Sequence, residues 1–211
     1  MTSICAFFRR PYGVGSPLNL WMFTPRNLLR HLRTLLTQPV YFFHRVQVMT
    51  FQFTHPGAPW VTQAAVEFLK THLRPEMRGF EWGSGRSTIW LASRVSRMVS
   101  VEHNPDWYRM ILPKIAGRNV DYRLVAGPGY ASQIEEFPEE YFDFVLVDGE
   151  QRGTCLRAAA SKIRQGGFLV LDNADYNLDT SALSDYDCQP TDNGVWRTDI
   201  FIRRGASRIR I

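Results

Sequence analysis

From residue 60 onward the hydrophobic positions switch repeatedly between a helical spacing and short apolar runs. Residues 61–73 put Ala64, Ala65, Phe68 and Leu69 on one helical face. Residues 79–82 then read as a strand, 87–95 as a helix, 98–102 as a strand and 105–115 as a helix. The alternation continues with a strand over 120–125, a short helix over 131–137 and a strand over 142–147. Residues 154–163 predict a helix, with Gly166-Gly167 after it, and 168–171 a fifth strand. Residues 195–203 read as a late strand, and 208–211 as a candidate for another. The fourth run is apolar nearly throughout, as a strand buried on both faces should be. This order predicts an α/β fold built on a doubly wound, mostly parallel sheet.

The first 57 residues follow a different pattern. Residues 1–23 mix aromatics, Pro and Gly with no clear period. Thr24-Pro25 offers a hydroxyl cap followed by proline at the first helical position. Leu28, Leu29, Leu32, Leu35 and Leu36 then share a face, with Arg26, Arg30 and Arg33 largely off it, and Pro39 ends the helix. Residues 40–53 are rich in β-branched and aromatic types and fit either a strand or a second apolar helix. The chain therefore divides into a helical N-terminal extension, 1–57, and a domain over 58–211.

Charge sharpens that division. Residues 1–66 contain six arginines and no Asp or Glu, so the +5 of the whole chain comes from a +6 start and a nearly neutral remainder. The amphipathic stretch 24–38 suits peripheral contact with an anionic membrane. It better suits capping the core of its own domain or of a second copy of the chain. An acid-free, Arg-rich start would also suit an organelle transit peptide, although a long segment with a Pro-led helix fits that poorly. The apolar run at residues 4–8 is too short for a secretory signal. No apolar run reaches spanning length, so no membrane-crossing helix is expected. Cys5, Cys155 and Cys188 are odd in number and widely spaced, which points to a reducing, cytoplasmic setting.

The chemistry lies where strands end. Residues 80–90 read Phe80-Glu81-Trp82-Gly83-Ser84-Gly85-Arg86-Ser87-Thr88-Ile89-Trp90, and Glu102 closes the next strand. An acid, a glycine turn, a helix and a second acid about 20 residues on build a nucleoside crevice at the carboxyl edge of a parallel sheet. Thr88 stands where a dinucleotide fingerprint wants its third glycine, and Glu81 would repel a diphosphate. A carboxylate there suits a cation, namely the ammonium and sulfonium of S-adenosylmethionine. Glu102 is placed to accept from both ribose hydroxyls. A nicotinamide-dependent oxidoreductase is the weaker alternative.

Asp148 and the pair Asp172-Asn173 end two further apolar runs. Their strands should be neighbours. Two carboxylates and an amide oxygen form a hard-oxygen set for Mg²⁺ or Ca²⁺, which would lower the pKa of a substrate hydroxyl. The metal-free alternative has Asp148 take the proton directly while Arg152 orients or neutralises the acceptor. His31, His44, His55 and His72 are isolated and read as surface or packing residues. Cys155 reads as a buried small residue, and Tyr176, Tyr186 and Trp196 as part of an acceptor region.

Three segments carry a resemblance: residues 80–88, Val99-Ser100-Val101-Glu102-His103-Asn104-Pro105-Asp106-Trp107-Tyr108, and Val147-Asp148-Gly149 with Arg152 and Cys155. Gly166-Gly167, Leu171-Asp172-Asn173-Ala174-Asp175 and Trp196-Arg197-Thr198-Asp199-Ile200-Phe201 fit the same pattern. Over roughly residues 60–204 the chain resembles class I S-adenosylmethionine-dependent methyltransferases, with their Rossmann-like sheet. It is most similar to bacterial O-methyltransferase-like proteins. The resemblance implies that Glu81, Gly83 and Gly85 line the methionine end of the cofactor, with Ser84, Ser87 and Thr88 also among the residues that bind it. It implies Glu102 on the ribose, His103 near the adenine, and Gly127 and Asp148 lining the rest of the crevice. It places catalysis on Asp148, Arg152, Asp172 and Asn173, and a metal on Asp148, Asp172 and Asn173. Two departures stand out. Catechol-type enzymes keep a lysine three residues after the first metal aspartate, where this chain has Gln151. The acid that often marks the adenine amino group after strand three is replaced by Val125-Ala126-Gly127.

The expected activity is O-methylation of a small-molecule or glycan-like hydroxyl. A regulatory protein that binds the cofactor without catalysis is the alternative. No tetrapeptide like N-P-P-Y occurs, which argues against a nucleic-acid acceptor despite the basic start.

Overall fold

A computed structural model describes residues 33–176 and 178–205. The predicted helix start at Thr24-Pro25, most of the 24–38 stretch and the strand expected over 208–211 lie outside the described residues. Contacts divide the chain into two compact units, Met1–Pro56 and Gly57–Ile211.

In the first unit residues 33–37 are helical, and helix α1 (Pro39–Thr54) follows with proline in its first turn. The apolar run 40–53 is thus a helix rather than a strand. The Thr54 hydroxyl donates back to the Thr50 carbonyl at 2.9 Å, and His55 stacks on Phe51 at 4.5 Å, closing the last turn.

The second unit holds a seven-stranded sheet. Helix α2 (Gln63–His72) starts at Thr62, whose hydroxyl accepts from the Ala65 amide, and buries Ala65, Val66 and Leu69. Then come β1 (Arg78–Trp82), α3 (Arg86–Ala92), β2 (Arg97–Glu102), α4 (Pro105–Ile115) and β3 (Val120–Leu124). Asn104 caps α4 by accepting from the Asp106 and Trp107 amides, with Pro105 next in line. A 3-10 turn (Ala131–Glu136) leads to β4 (Phe142–Val147), α5 (Arg152–Ala159) and β5 (Ile163–Asp172). The sheet finishes with β6 (Tyr186–Asp192) and β7 (Arg197–Arg203).

The strand order is β3-β2-β1-β4-β5-β7-β6. β1 to β5 run parallel, and β7 is antiparallel to both of its neighbours. This is the doubly wound, mostly parallel, Rossmann-like sheet that the alternation predicts. Phe80, Trp82, Val99, Val101, Val145, Val147, Leu169 and Leu171 fill one face of the central strands with fully buried side chains.

Two expectations fail locally. β5 begins at Ile163 rather than Phe168, and α5 stops at Ala159, so Gly166-Gly167 lies inside a strand. The register slips there: Phe142 pairs with Ile163, but Phe144 with Phe168. A side chain on Gly167 would meet the Asp143 carbonyl at 2.6 Å, so the irregular strand needs glycine at that point. β6 was not anticipated at all.

Candidate active site

The parallel register aligns the ends of β2, β1, β4 and β5 along one edge, as required for a site at the carboxyl ends of strands. Glu81, Glu102, Asp148, Asp172 and Asn173 all arrive there.

Glu81 pairs in register with Ser100 and is fully buried. The Ser100 hydroxyl donates to Oε1 at 2.7 Å, and the Thr88 and Ser87 hydroxyls of α3 also face the carboxyl group. Oε2 meets no hydrogen-bond donor among the described residues. Burial pushes the Glu81 carboxyl up to about 7; the three hydroxyls oppose that shift and the charge on Asp148 adds to it. A buried carboxylate with one empty oxygen is a seat for a donor, and a cationic donor most of all. Ser87 and Thr88 are buried against this acid, and Thr88 Oγ1 also accepts from the Gly85 amide at 2.9 Å. Ser100 was not among the expected residues. Its signal was a hydroxyl inside the run Val99-Ser100-Val101, on a strand with no exposed face.

Glu102 closes β2 and holds the glycine turn. Its Oε2 accepts from the Ser84 amide and hydroxyl at 3.0 and 2.8 Å, and Oε1 from the His103 and Asn104 amides at 2.9 and 2.8 Å. The Tyr122 hydroxyl meets Ser84 Oγ at 2.7 Å, and the Trp107 indole N–H donates to the Ser84 carbonyl at 2.6 Å. Gly83, at φ +89°, packs so tightly on Asp148 that an added Cβ would lie 2.8 Å from its carbonyl. Gly85 caps α3. His103 Nδ1 lies 3.2 Å from Glu102 Oε1, and its ring stands edge-on to Tyr130 at 5.7 Å. Gly127, at φ +84°, turns the chain after β3, and its carbonyl accepts from the Gln151 side chain at 3.1 Å.

Asp148, Asp172 and Asn173 come together around Arg152. Arg152 Nε donates to the Gly149 carbonyl at 2.9 Å. Nη1 donates to the Asp172 carbonyl and to Asn173 Oδ1 (3.0 Å), and Nη2 to the carbonyl and Oδ1 of Asp148 (3.3 and 3.1 Å). All five guanidinium donors are thereby spent on the protein. Arg152 accordingly holds Asp148 in place and neutralises it, rather than reaching an acceptor as expected. Asp172 Oδ1 accepts from Thr198 at 2.7 Å, and the two aspartates are hydrogen-bonded to each other. Burial raises the Asp148 carboxyl to about 6 against the pull of Arg152, and burial plus the charge of Asp148 raises Asp172 well above its ordinary range. The pair therefore holds a proton more readily than two free aspartates would. The Asp148 side chain is 29 % exposed.

The expected Mg²⁺ set is corrected by this arrangement. A guanidinium already sits against Asp148 Oδ1 and Asn173 Oδ1, and Asp172 is satisfied by Thr198 and a shared proton, so the three donors do not fit a divalent ion. Among the described residues no group of three His, Cys, Asp or Glu side chains could hold a metal.

No protein-family model matches the chain, and no curated protein matches it. Solved structures do. Precorrin-6y C5,15-methyltransferase from Geobacter metallireducens GS-15 is 17 % identical with a TM-score of 0.54, covering 67 % of this chain and 87 % of its own. A Streptococcus mutans protein assigned as a methyltransferase, solved in complex with SAH, is 12 % identical with a TM-score of 0.54, covering 67 % and 96 %. A methyltransferase-like protein from Silicibacter pomeroyi is 20 % identical with a TM-score of 0.52, covering 70 % and 89 %. The fold is that of the class I methyltransferases. Identities this low speak for the fold and leave the acceptor open.

Proposed function

We propose that the chain is an S-adenosylmethionine-dependent O-methyltransferase acting on a small-molecule or glycan-like hydroxyl. The observation that carries this reading is the buried Glu81 carboxyl with its empty Oε2, set one strand from Glu102 and one strand from Asp148. Glu81 would bind the cationic methionine end of the cofactor and Glu102 the ribose. Gly83 and Gly85 let the turn between them approach closely. When bound, the cofactor supplies a sulfonium methyl group, whose transfer to oxygen breaks the carbon–sulfur bond and leaves a neutral thioether.

This chain's residues do the rest. Asp148, ionised above about pH 6, accepts the acceptor's hydroxyl proton. Arg152 fixes the carboxylate and offsets its charge, and Asp172 is hydrogen-bonded to it. No metal is needed for proton uptake, because the base is in place and its pKa lies near the working range.

Titration calorimetry with S-adenosylmethionine, S-adenosylhomocysteine and NAD tests the cofactor half. Binding of the first two and not of NAD is expected; indifference to both adenosyl compounds would end the reading. Asp148→Asn tests the rest. Loss of methyl transfer with cofactor affinity retained marks an enzyme, whereas an unchanged variant marks a cofactor-binding protein without this chemistry.

A further inference from the structure

Nine of the sixteen residues of helix α1 carry large apolar or aromatic side chains. Its sixteen residues, Pro-Val-Tyr-Phe-Phe-His-Arg-Val-Gln-Val-Met-Thr-Phe-Gln-Phe-Thr, include one arginine, one histidine and no acid. A helix of that composition is normally enclosed. Here Phe51 and Gln52 are buried, while Val40, Phe43 and Phe53 are 68 %, 61 % and 64 % exposed, with Val46 beside them. Leu36, on the helical stretch before the break at Gln38, is 82 % exposed. The spacing 40, 43, 46, 53 follows the helical repeat, so these four side chains share one face of α1, with Gln47 and Thr50 exposed among them.

Charge on the same segment selects what covers the stripe. Residues 1–66 carry Arg9, Arg10, Arg26, Arg30, Arg33 and Arg45 and no acid. A second copy laid against this face would bring two acid-free, sixfold cationic segments together. A nucleic acid would meet the arginines but leave the phenylalanines without a partner. An anionic lipid surface satisfies both, with headgroups for the guanidinium groups and the acyl boundary for the stripe. Length decides how the helix lies. Sixteen residues reach about 24 Å, short of the roughly 30 Å hydrocarbon core. Among the described residues no helix is long and apolar enough to cross a membrane.

We infer that α1 rests in the plane of an anionic membrane, its Val40–Phe43–Val46–Phe53 face in the acyl boundary, drawn there by the net positive charge of residues 1–66. This surface lies further along the chain than the 24–38 stretch that the leucine pattern suggests. It does not depend on the methyl-transfer reading, since neither the crevice nor the cofactor enters it.

Flotation of the full chain with vesicles tests it. One set is phosphatidylcholine alone; the other contains about one-third phosphatidylglycerol. The chain should float with the anionic set only, and high salt should weaken the association. Val40→Ser combined with Phe43→Ser changes two exposed positions and should lower binding by about tenfold or more, with an unchanged melting temperature. Three results would overturn the inference. The chain floats with neither set; it floats, but the double variant binds as well as the parent; or sedimentation shows a dimer that the double variant dissociates, which would make the stripe a self-interface.

Discussion

Ser84 gives both its amide and its hydroxyl to one oxygen of Glu102, at 3.0 and 2.8 Å. The other oxygen is taken by two backbone amides. A carboxylate offers about four acceptor positions, so every one is occupied. If Glu102 binds the ribose, something must yield, and the rotatable Ser84 hydroxyl, also shared with Tyr122, is the cheapest to move. Ser84→Ala should then tighten cofactor binding by about threefold to tenfold, the worth of one hydrogen bond that no longer has to break. Calorimetry reads this directly. Weaker binding would mean that the Ser84 hydroxyl supports the bound state instead.

Glu81 makes a pH prediction with a definite sign. Its carboxyl titrates near 7 in the fold against an ordinary 4.5, so burial favours the protonated form. The stability tied to that proton is complete below about pH 4.5 and is lost as pH rises through 7. Glu81→Gln should become more stable relative to the parent as pH increases, by up to about 3 kcal/mol at pH 8. Binding of a cationic cofactor runs the other way. It requires the carboxylate, so affinity should drop by about tenfold per pH unit below 7, with proton release on binding at pH 6. Calorimetry in buffers of different ionisation enthalpy counts that proton, and no release at pH 6 would separate Glu81 from the ligand.

Much of this site is legible in the sequence because strand-end acids are marked by the apolar runs before them. Glu81, Glu102, Asp148 and Asp172 each follow such a run, and a parallel sheet forces the four ends onto one edge. What lay hidden was side-chain commitment. Nothing in the spacing of Asp148, Arg152 and Asn173 says that a single guanidinium would bond to all of them and so displace the expected metal. β6 was illegible for a different reason. Tyr-Asp-Cys-Gln-Pro-Thr-Asp is polar and holds Pro190, as an exposed edge strand can. Among the described residues it pairs only with β7, so no apolar run was needed to build it. The early start of β5 was masked by Gly166-Gly167, which usually end elements and here shape an irregular strand.

Arg152 sets both the position and the acidity of Asp148. Its charge lowers a carboxyl that burial raises to about 6. Arg152→Met should therefore move the acidic limb of a pH–rate profile upward, because the carboxylate loses its counter-charge while staying buried. It should also cost about 3 kcal/mol of stability, since the Asp148 and Asn173 oxygens and three carbonyls lose their donor. Arg152→Lys restores the charge but not the five-point geometry. It should return the pH limb toward the parent with only part of the stability. If both variants share the parent's profile, Asp148 is not the group that titrates.

Tyr130 forms a wall that no motif marks. Tyr130 is fully buried beneath the turn after β4, and its hydroxyl lies where a side chain on Gly149 would go: an added Cβ would stand 1.9 Å from that oxygen. The next contacts, the Gly83 amide and the Trp82 carbonyl carbon, are at 3.0 Å. Gly149→Ala should thus destabilise by about 1–3 kcal/mol, the cost of overpacking a filled interior. It should also weaken the crevice, because Gly149 adjoins Asp148 and its carbonyl accepts from Arg152. The Tyr130 hydroxyl faces the Glu150 backbone and meets no side-chain partner among the described residues, so Tyr130→Phe alone should cost about 1 kcal/mol or less. In the double variant the hydroxyl is gone and only the 3.0 Å contacts remain. Chemical denaturation should recover more than half of the loss, and a double-mutant cycle should give a coupling of about 1 kcal/mol or more. Strictly additive effects would show that the turn relaxes away from the ring instead of pressing on it.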